Sequence, residues 1–163
     1  MSILNLIHDH YTSFFASLSC FGWIGSILLK HKFPWLGNCM SIVYHVSLAP
    51  VIAALPAPEW VKMAGYFWVF GDSLIDVAII NKLSEEKAWI LRLGVHLPAS
   101  VWIVGSSMGM VSWGLWTGVA MGVLLGIHAI IDPQMLKISK FKLAIFVLPM
   151  MTVWLCQIAY YNF

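Results

Sequence analysis

Charge is what this sequence has least of. Only 10% of its 163 residues are Asp, Glu, Lys or Arg, whereas 61% are hydrophobic and the mean hydropathy is +0.86. A soluble domain of this length has too much surface per volume to hide so much apolar area, and too few charges here to coat it. That excludes an ordinary water-soluble fold and points to lipid as the solvent. Basic runs, zinc-finger spacing and glycine-rich phosphate loops are all missing, and the net charge is only +2, so nucleic acid is not an expected partner. Cysteine is scarce as well. Cys20, Cys39 and Cys156 are far apart in apolar segments, which reads as small core residues and not as a disulfide framework or a CxxC redox pair. The first residues, MSILNLIHDH, lack a basic region and a cleavage site, so the first membrane helix is expected to act as the targeting signal and to remain. No repeat or low-complexity segment stands out.

Long apolar segments alternate with short polar breaks. A hydrocarbon core of about 30 Å needs about 20 helical residues with every backbone group satisfied internally. On that ruler the chain reads as an all-α, polytopic bundle of about six transmembrane helices, at roughly 11–29, 36–56, 60–81, 88–107, 110–131 and 141–161. These fill most of the chain, so a single transmembrane domain without a separate soluble domain is expected. The breaks carry recognisable signals: Pro58 and Glu59 suit a helix start, and Ser84 suits an N-cap. Lys30 and Lys32, Lys82 and Lys87, and Lys137, Lys140 and Lys142 follow the first, third and fifth spans, while the other loops carry only Lys62. The positive-inside rule then puts both termini outside the cytoplasm, in a plasma or inner membrane. Trp35, Trp60, Tyr160 and Tyr161 near span ends read as interfacial anchors.

Against this apolar background, ionisable residues at membrane depth are costly, about 2.5–3.5 kcal/mol each on insertion scales, and they usually face a protein interior or a water-filled cavity. The candidates are His45, Asp72, Asp76, Arg92, His96 and His128, with Asp132 at an edge. Asp72 and Asp76, Arg92 and His96, and His128 and Asp132 are each separated by one helical turn, so each pair marks one helix face. Counting about 1.5 Å per residue from the span ends places His45, Asp72 and His96 in one layer. Asp76 and Arg92, with His128 close by, fall in a second layer nearer the inside. Asp76 and Arg92 read as a structural ion pair, because an unpaired buried charge is very costly. Asp72, His96 and His45 are the candidate catalytic residues, since carboxylate and imidazole can both be tuned by burial toward proton transfer or water activation. His128 and Asp132, at a helix end, are secondary candidates that headgroup contact would also explain.

Other chemistries have less support. There is no GxSxG elbow, and Ser41, Ser47 and Ser73 read as ordinary helix-packing serines. His45, His96 and Asp72 form a workable three-ligand zinc set, although no HExxH pattern accompanies it. His45 and His96 could together ligate a haem iron. The cofactor is left open between none, zinc and haem.

The stretch WVFGDSLID (Trp68 to Asp76), followed by LGVHLPASVWIVG (Leu93 to Gly105), resembles the lysoplasmalogenase family of multi-spanning membrane hydrolases, which has a Gly-Asp pair in one span and a His in the next. The resemblance implies hydrolysis of a lysolipid ether bond, with Asp72 and His96 in the active site and membrane lipid as the partner. The family's later Ser-Asp motif has no clear counterpart; GIHAIID (Gly126 to Asp132) offers Asp132 alone. Two further functions compete with a lipid hydrolase. A transporter or channel would use the same acids and histidines for proton or cation coupling, and Pro50 and Pro98 offer places for a broken helix. An accessory subunit, haem-binding or not, would simply pack in a larger membrane complex or homo-oligomer.

Overall fold

The structure is a computed structural model that describes residues 3–110, 113–130 and 140–160. It contains α1 (Ile3–Lys30), α2 (Pro34–Ala54), α3 (Glu59–Ile80), α4 (Glu85–Ser107), α5 (Trp113–Ile130) and α6 (Lys140–Tyr160). All described secondary structure is helical, and α1 to α5 are each long and apolar enough to cross a membrane. The chain is a helical membrane bundle. The main boundary difference is α1, which starts at Ile3 and not near residue 11. The polar NLIHDH segment extends the helix, since hydropathy marks where a helix enters lipid but not where it begins.

Local chemistry accounts for the ends. Pro34 opens α2, where its missing N–H is one the helix could not have used. Pro58 precedes α3, and Glu59 places a negative charge on its first turn. The Ser84 hydroxyl caps α4 by accepting from the Lys87 N–H at 3.5 Å. The α3–α4 turn is a Schellman motif: Leu83 N–H donates to Ala78 O at 2.8 Å and Lys82 N–H to Ile79 O at 2.9 Å. Lys82 sits at its left-handed position, with φ of 73°. Despite Pro50 and Pro98, α2 and α4 run on as continuous helices.

Each helix packs on its neighbours in sequence, and α1 also meets α6, so the backbones form a closed ring. Side chains fill the middle: Tyr44, Trp68, Trp102 and Trp154 are all at most 2% exposed. The outside is apolar, with Phe14, Phe21, Leu28, Phe67, Leu74 and Trp116 among the exposed large residues, while His45, Asp72 and Asp76 are buried. A fold that turns apolar side chains outward and charged ones inward suits lipid.

The ring is tight where side chains are small. Gly114, Gly118, Gly122 and Gly126 recur every fourth residue along α5, a repeat not anticipated from the sequence reading. A Cβ on Gly118 would collide with the Ser107 hydroxyl and the Trp154 indole nitrogen, so α5 can approach α4 and α6 closely only with glycine there. The two most distant cysteines also meet: Cys20 Sγ on α1 lies 3.9 Å from Cys156 Sγ on α6.

Candidate functional site

Loops 31–33 and 81–84 lie at one end of the bundle and loop 55–58 and turn residues 108–110 at the other, with Lys30, Lys32, Lys82 and Lys87 all at or beside the first. We call this the basic end. Five ionisable side chains from three consecutive helices converge between the middle of the bundle and this end. They are His45 from α2, Asp72 and Asp76 from α3, and Arg92 and His96 from α4.

Asp72 is the hub. Its Oδ2 accepts a hydrogen bond from the Trp68 indole N–H at 2.8 Å, one turn earlier on the same helix. His45 Nε2 and His96 Nε2 face that same oxygen at 3.4 and 3.7 Å. Arg92 Nε lies 3.5 Å from Asp72 Oδ1, while its Nη2 pairs closely with Asp76 Oδ1. His45 Nδ1 is 3.8 Å from Asp76 Oδ2. The two layers expected from depth counting are therefore one connected cluster. The guanidinium spans both carboxylates and the imidazole presents one nitrogen to each, distances that counting residues along single helices could not capture.

Burial and charge set what this cluster can do. The Asp72 and Asp76 side chains are 4% and 0% exposed, and those of Arg92 and His96 are 17% and 18% exposed. Two carboxylates share one guanidinium at contact distance, and the Lys30 ammonium is the next cation within electrostatic range of both. The contacts of 3.4–3.8 Å are also longer than hydrogen bonds. As a result four buried atoms of the cluster, His45 Nδ1, Asp72 Oδ1, Asp76 Oδ2 and His96 Nδ1, have no hydrogen-bond partner among the described residues. Native interiors rarely leave buried polar atoms unpaired, which makes this group of four the candidate functional centre.

The other candidates fall around this centre. The His128 ring lies 6.2 Å from that of His96 and packs edge-on to Trp89 at 5.1 Å, which extends the cluster toward the basic end. Asp132 lies outside the described residues. The Ser47 hydroxyl donates to Val43 O and the Ser73 hydroxyl to Val69 O, so both are engaged with their own helix. Ser41 is half-buried. Among the described residues no set of three His, Cys, Asp or Glu side chains is arranged to hold a metal ion. His45 and His96 converge on one carboxylate oxygen and do not face each other across an open cleft, an arrangement unsuited to a porphyrin between them.

Sequence reasoning missed the aromatic layer. Trp68 packs on Trp102 with ring centroids 5.6 Å apart, Trp102 on Trp154 at 5.3 Å, and Tyr44 on Trp68 at 6.1 Å. All four rings are buried, and none sits at a span end, the position at which tryptophan and tyrosine had been read as anchors. On the outer face of α3 and α4, an apolar groove is lined by Met63, Phe67, Phe70, Leu97, Pro98 and Val101.

No protein-family model, curated protein or solved structure matches this chain.

Proposed function

We propose that this membrane protein is a small proton-coupled transporter whose buried Asp72/Asp76/Arg92/His45/His96 centre takes up and releases a proton. One observation carries this: His45 directs its two ring nitrogens at two different carboxylates. A neutral imidazole has one N–H and can donate to one of them; with an added proton it donates to both. Gain and loss of that proton therefore switch the cluster between two bonding patterns on three helices, which is how a titration event becomes a conformational one. The centre lies nearer the basic end, which the positive-inside rule assigns to the cytoplasm, so the proton would exchange on that side in this conformation. The membrane would be a plasma or inner membrane.

A second reading is a lysolipid hydrolase. It is favoured by the approach of His96 Nε2 to Asp72, a pairing suited to orienting an imidazole that activates water. Leu97 and Gly71, the sequence neighbours of those residues, line the outer groove, where a single acyl chain could lie beside the pair.

One preparation tests both. Wild type and Asp72→Asn are reconstituted in liposomes carrying a pH-sensitive dye, with a pH gradient imposed and candidate solutes supplied. The same samples are incubated with a panel of lysophospholipids and read by mass spectrometry. Solute-dependent proton flux in the wild type, lost in the variant, is the expected result. Cleavage without flux would replace it with the hydrolase. Neither, with both proteins folded, would leave an accessory subunit.

A further inference from the structure

Building on the proton-coupled function proposed above, we infer that Trp68 is the gate residue that closes the centre toward the end opposite the basic one, and that its closure is tied to Asp72. The geometry begins with α3. Trp68 lies one turn from Asp72 on the side away from the basic end, and its indole N–H donates to Asp72 Oδ2 at 2.8 Å. On its other faces it packs against His45 at 5.6 Å, Tyr44 at 6.1 Å and Trp102 at 5.6 Å between centroids. Trp102 is six residues beyond His96 on α4, about 9 Å further from the basic end at the helical rise. Trp154 then continues the layer to α6, and Tyr44 reaches α6 by donating to Met151 Sδ at 3.5 Å. The rings thus cross the ring of helices from α2 to α6, with Trp102 and Trp154 beyond the charged cluster and Trp68 and Tyr44 level with its histidines. Such a dry aromatic layer stops water and protons as hydrophobic constrictions do in channels.

Two features make this layer a gate and not simple filling. Among the described residues its only hydrogen bond to the cluster is the Trp68–Asp72 bond, so a change in the charge of Asp72 acts directly on one ring of the seal. In addition, Trp102 Nε1 is buried and has no hydrogen-bond partner among the described residues. This packing leaves one donor of the layer unsatisfied, which sets it apart from fully paired filling. Trp154 is the internal contrast. It belongs to the same layer, but its indole N–H donates to the Ser107 hydroxyl at 3.0 Å and has no link to Asp72.

The test is passive proton permeability of liposomes containing wild type, Trp68→Phe or Trp154→Phe, under a pH gradient with the membrane voltage clamped and no solute added. Trp68→Phe keeps a ring in place and removes the N–H; it is expected to leak protons about tenfold faster than wild type, as a constriction that has lost its closing contact should. Trp154→Phe is expected to stay tight. Equal tightness of both variants, or equal leakage from both, overturns the gate, because either result separates the seal from Asp72. Trp68→Leu, which also lacks a donor, replaces the phenylalanine variant if that one does not fold. Absence of solute-coupled flux in the wild type would defeat the transporter reading by itself, while the leak comparison would still decide the gate.

Discussion

His45 Nε2 lies 3.4 Å from Asp72 Oδ2, and Nδ1 of the same ring lies 3.8 Å from Asp76 Oδ2. One imidazole thus stands between two buried carboxylates that are one turn apart on α3, and it approaches them from α2. Without it, two negative charges in a low-dielectric interior would share the single guanidinium of Arg92.

Replacing His45 should therefore cost stability as well as function. His45→Phe keeps a ring but leaves the two carboxylates to Arg92, and is expected to lower unfolding free energy by about 3 kcal/mol, the scale of breaking a buried ionic contact. Thermal unfolding in detergent measures this. An unchanged midpoint would mean that the ring contributes no polar contact between the two acids.

The Arg92–Asp76 pair should show strong coupling. Arg92→Gln leaves Asp76, which is wholly buried, without its close partner. It should destabilise by about 3–5 kcal/mol, and so should Asp76→Asn, because each strands the opposite charge. The double variant should cost clearly less than the two added together. Additive losses in the cycle would show that Arg92 is held by something other than Asp76.

The closed ring can be tested chemically. Cys20 and Cys156 have their sulfurs 3.9 Å apart, close enough for a small side-chain rotation to bring them to bonding distance. Oxygen with a copper–phenanthroline catalyst should join the two thiols into one disulfide within a single chain, the thiol protons and electrons passing to oxygen. Peptide mapping should find α1 linked to α6. Cys39→Ser should leave that link intact and Cys156→Ser should abolish it. A chain that yields no α1–α6 link under these conditions would not have a closed ring.

Two glycines in adjacent helices should respond oppositely to alanine. A Cβ on Gly118 would run into Ser107 and Trp154, so Gly118→Ala is expected to destabilise by about 1–3 kcal/mol through overpacking. A Cβ on Gly94 would meet nothing within 4 Å, so Gly94→Ala should be neutral or gain up to about 1 kcal/mol from helix propensity. Unfolding midpoints of the two variants decide this; a destabilised Gly94→Ala would argue against the open position of that residue.

What could be read from the sequence follows the range of the interactions involved. Helices are local, so hydropathy located all six described ones, and the Pro58, Glu59 and Ser84 end signals fell where α3 and α4 start. The convergence of Asp72, Asp76, Arg92, His96 and His45 was also accessible, because consecutive antiparallel spans allow depth to be counted. That count failed at side-chain scale: a long guanidinium and a two-nitrogen ring reach across the layers it separated. Contacts made through α6 were beyond it altogether. Cys156 meets Cys20, and Trp154 meets Trp102 and Ser107, only because the ring closes. Nothing local in α1 or α4 records that closure. The fourfold glycine spacing of α5 is present in the sequence, but a glycine repeat by itself does not say which helices it brings together.

The ring also has a consequence for the order in which the protein is made. The five charged-centre residues all lie on α2, α3 and α4, which leave the ribosome one after another, whereas the seal and the α1 seam both wait for α6. A nascent chain can thus bury its costly polar groups against one another as soon as α4 has entered the bilayer. Until Trp154 arrives the aromatic layer is incomplete, so the inferred seal can form only after the charged centre has assembled.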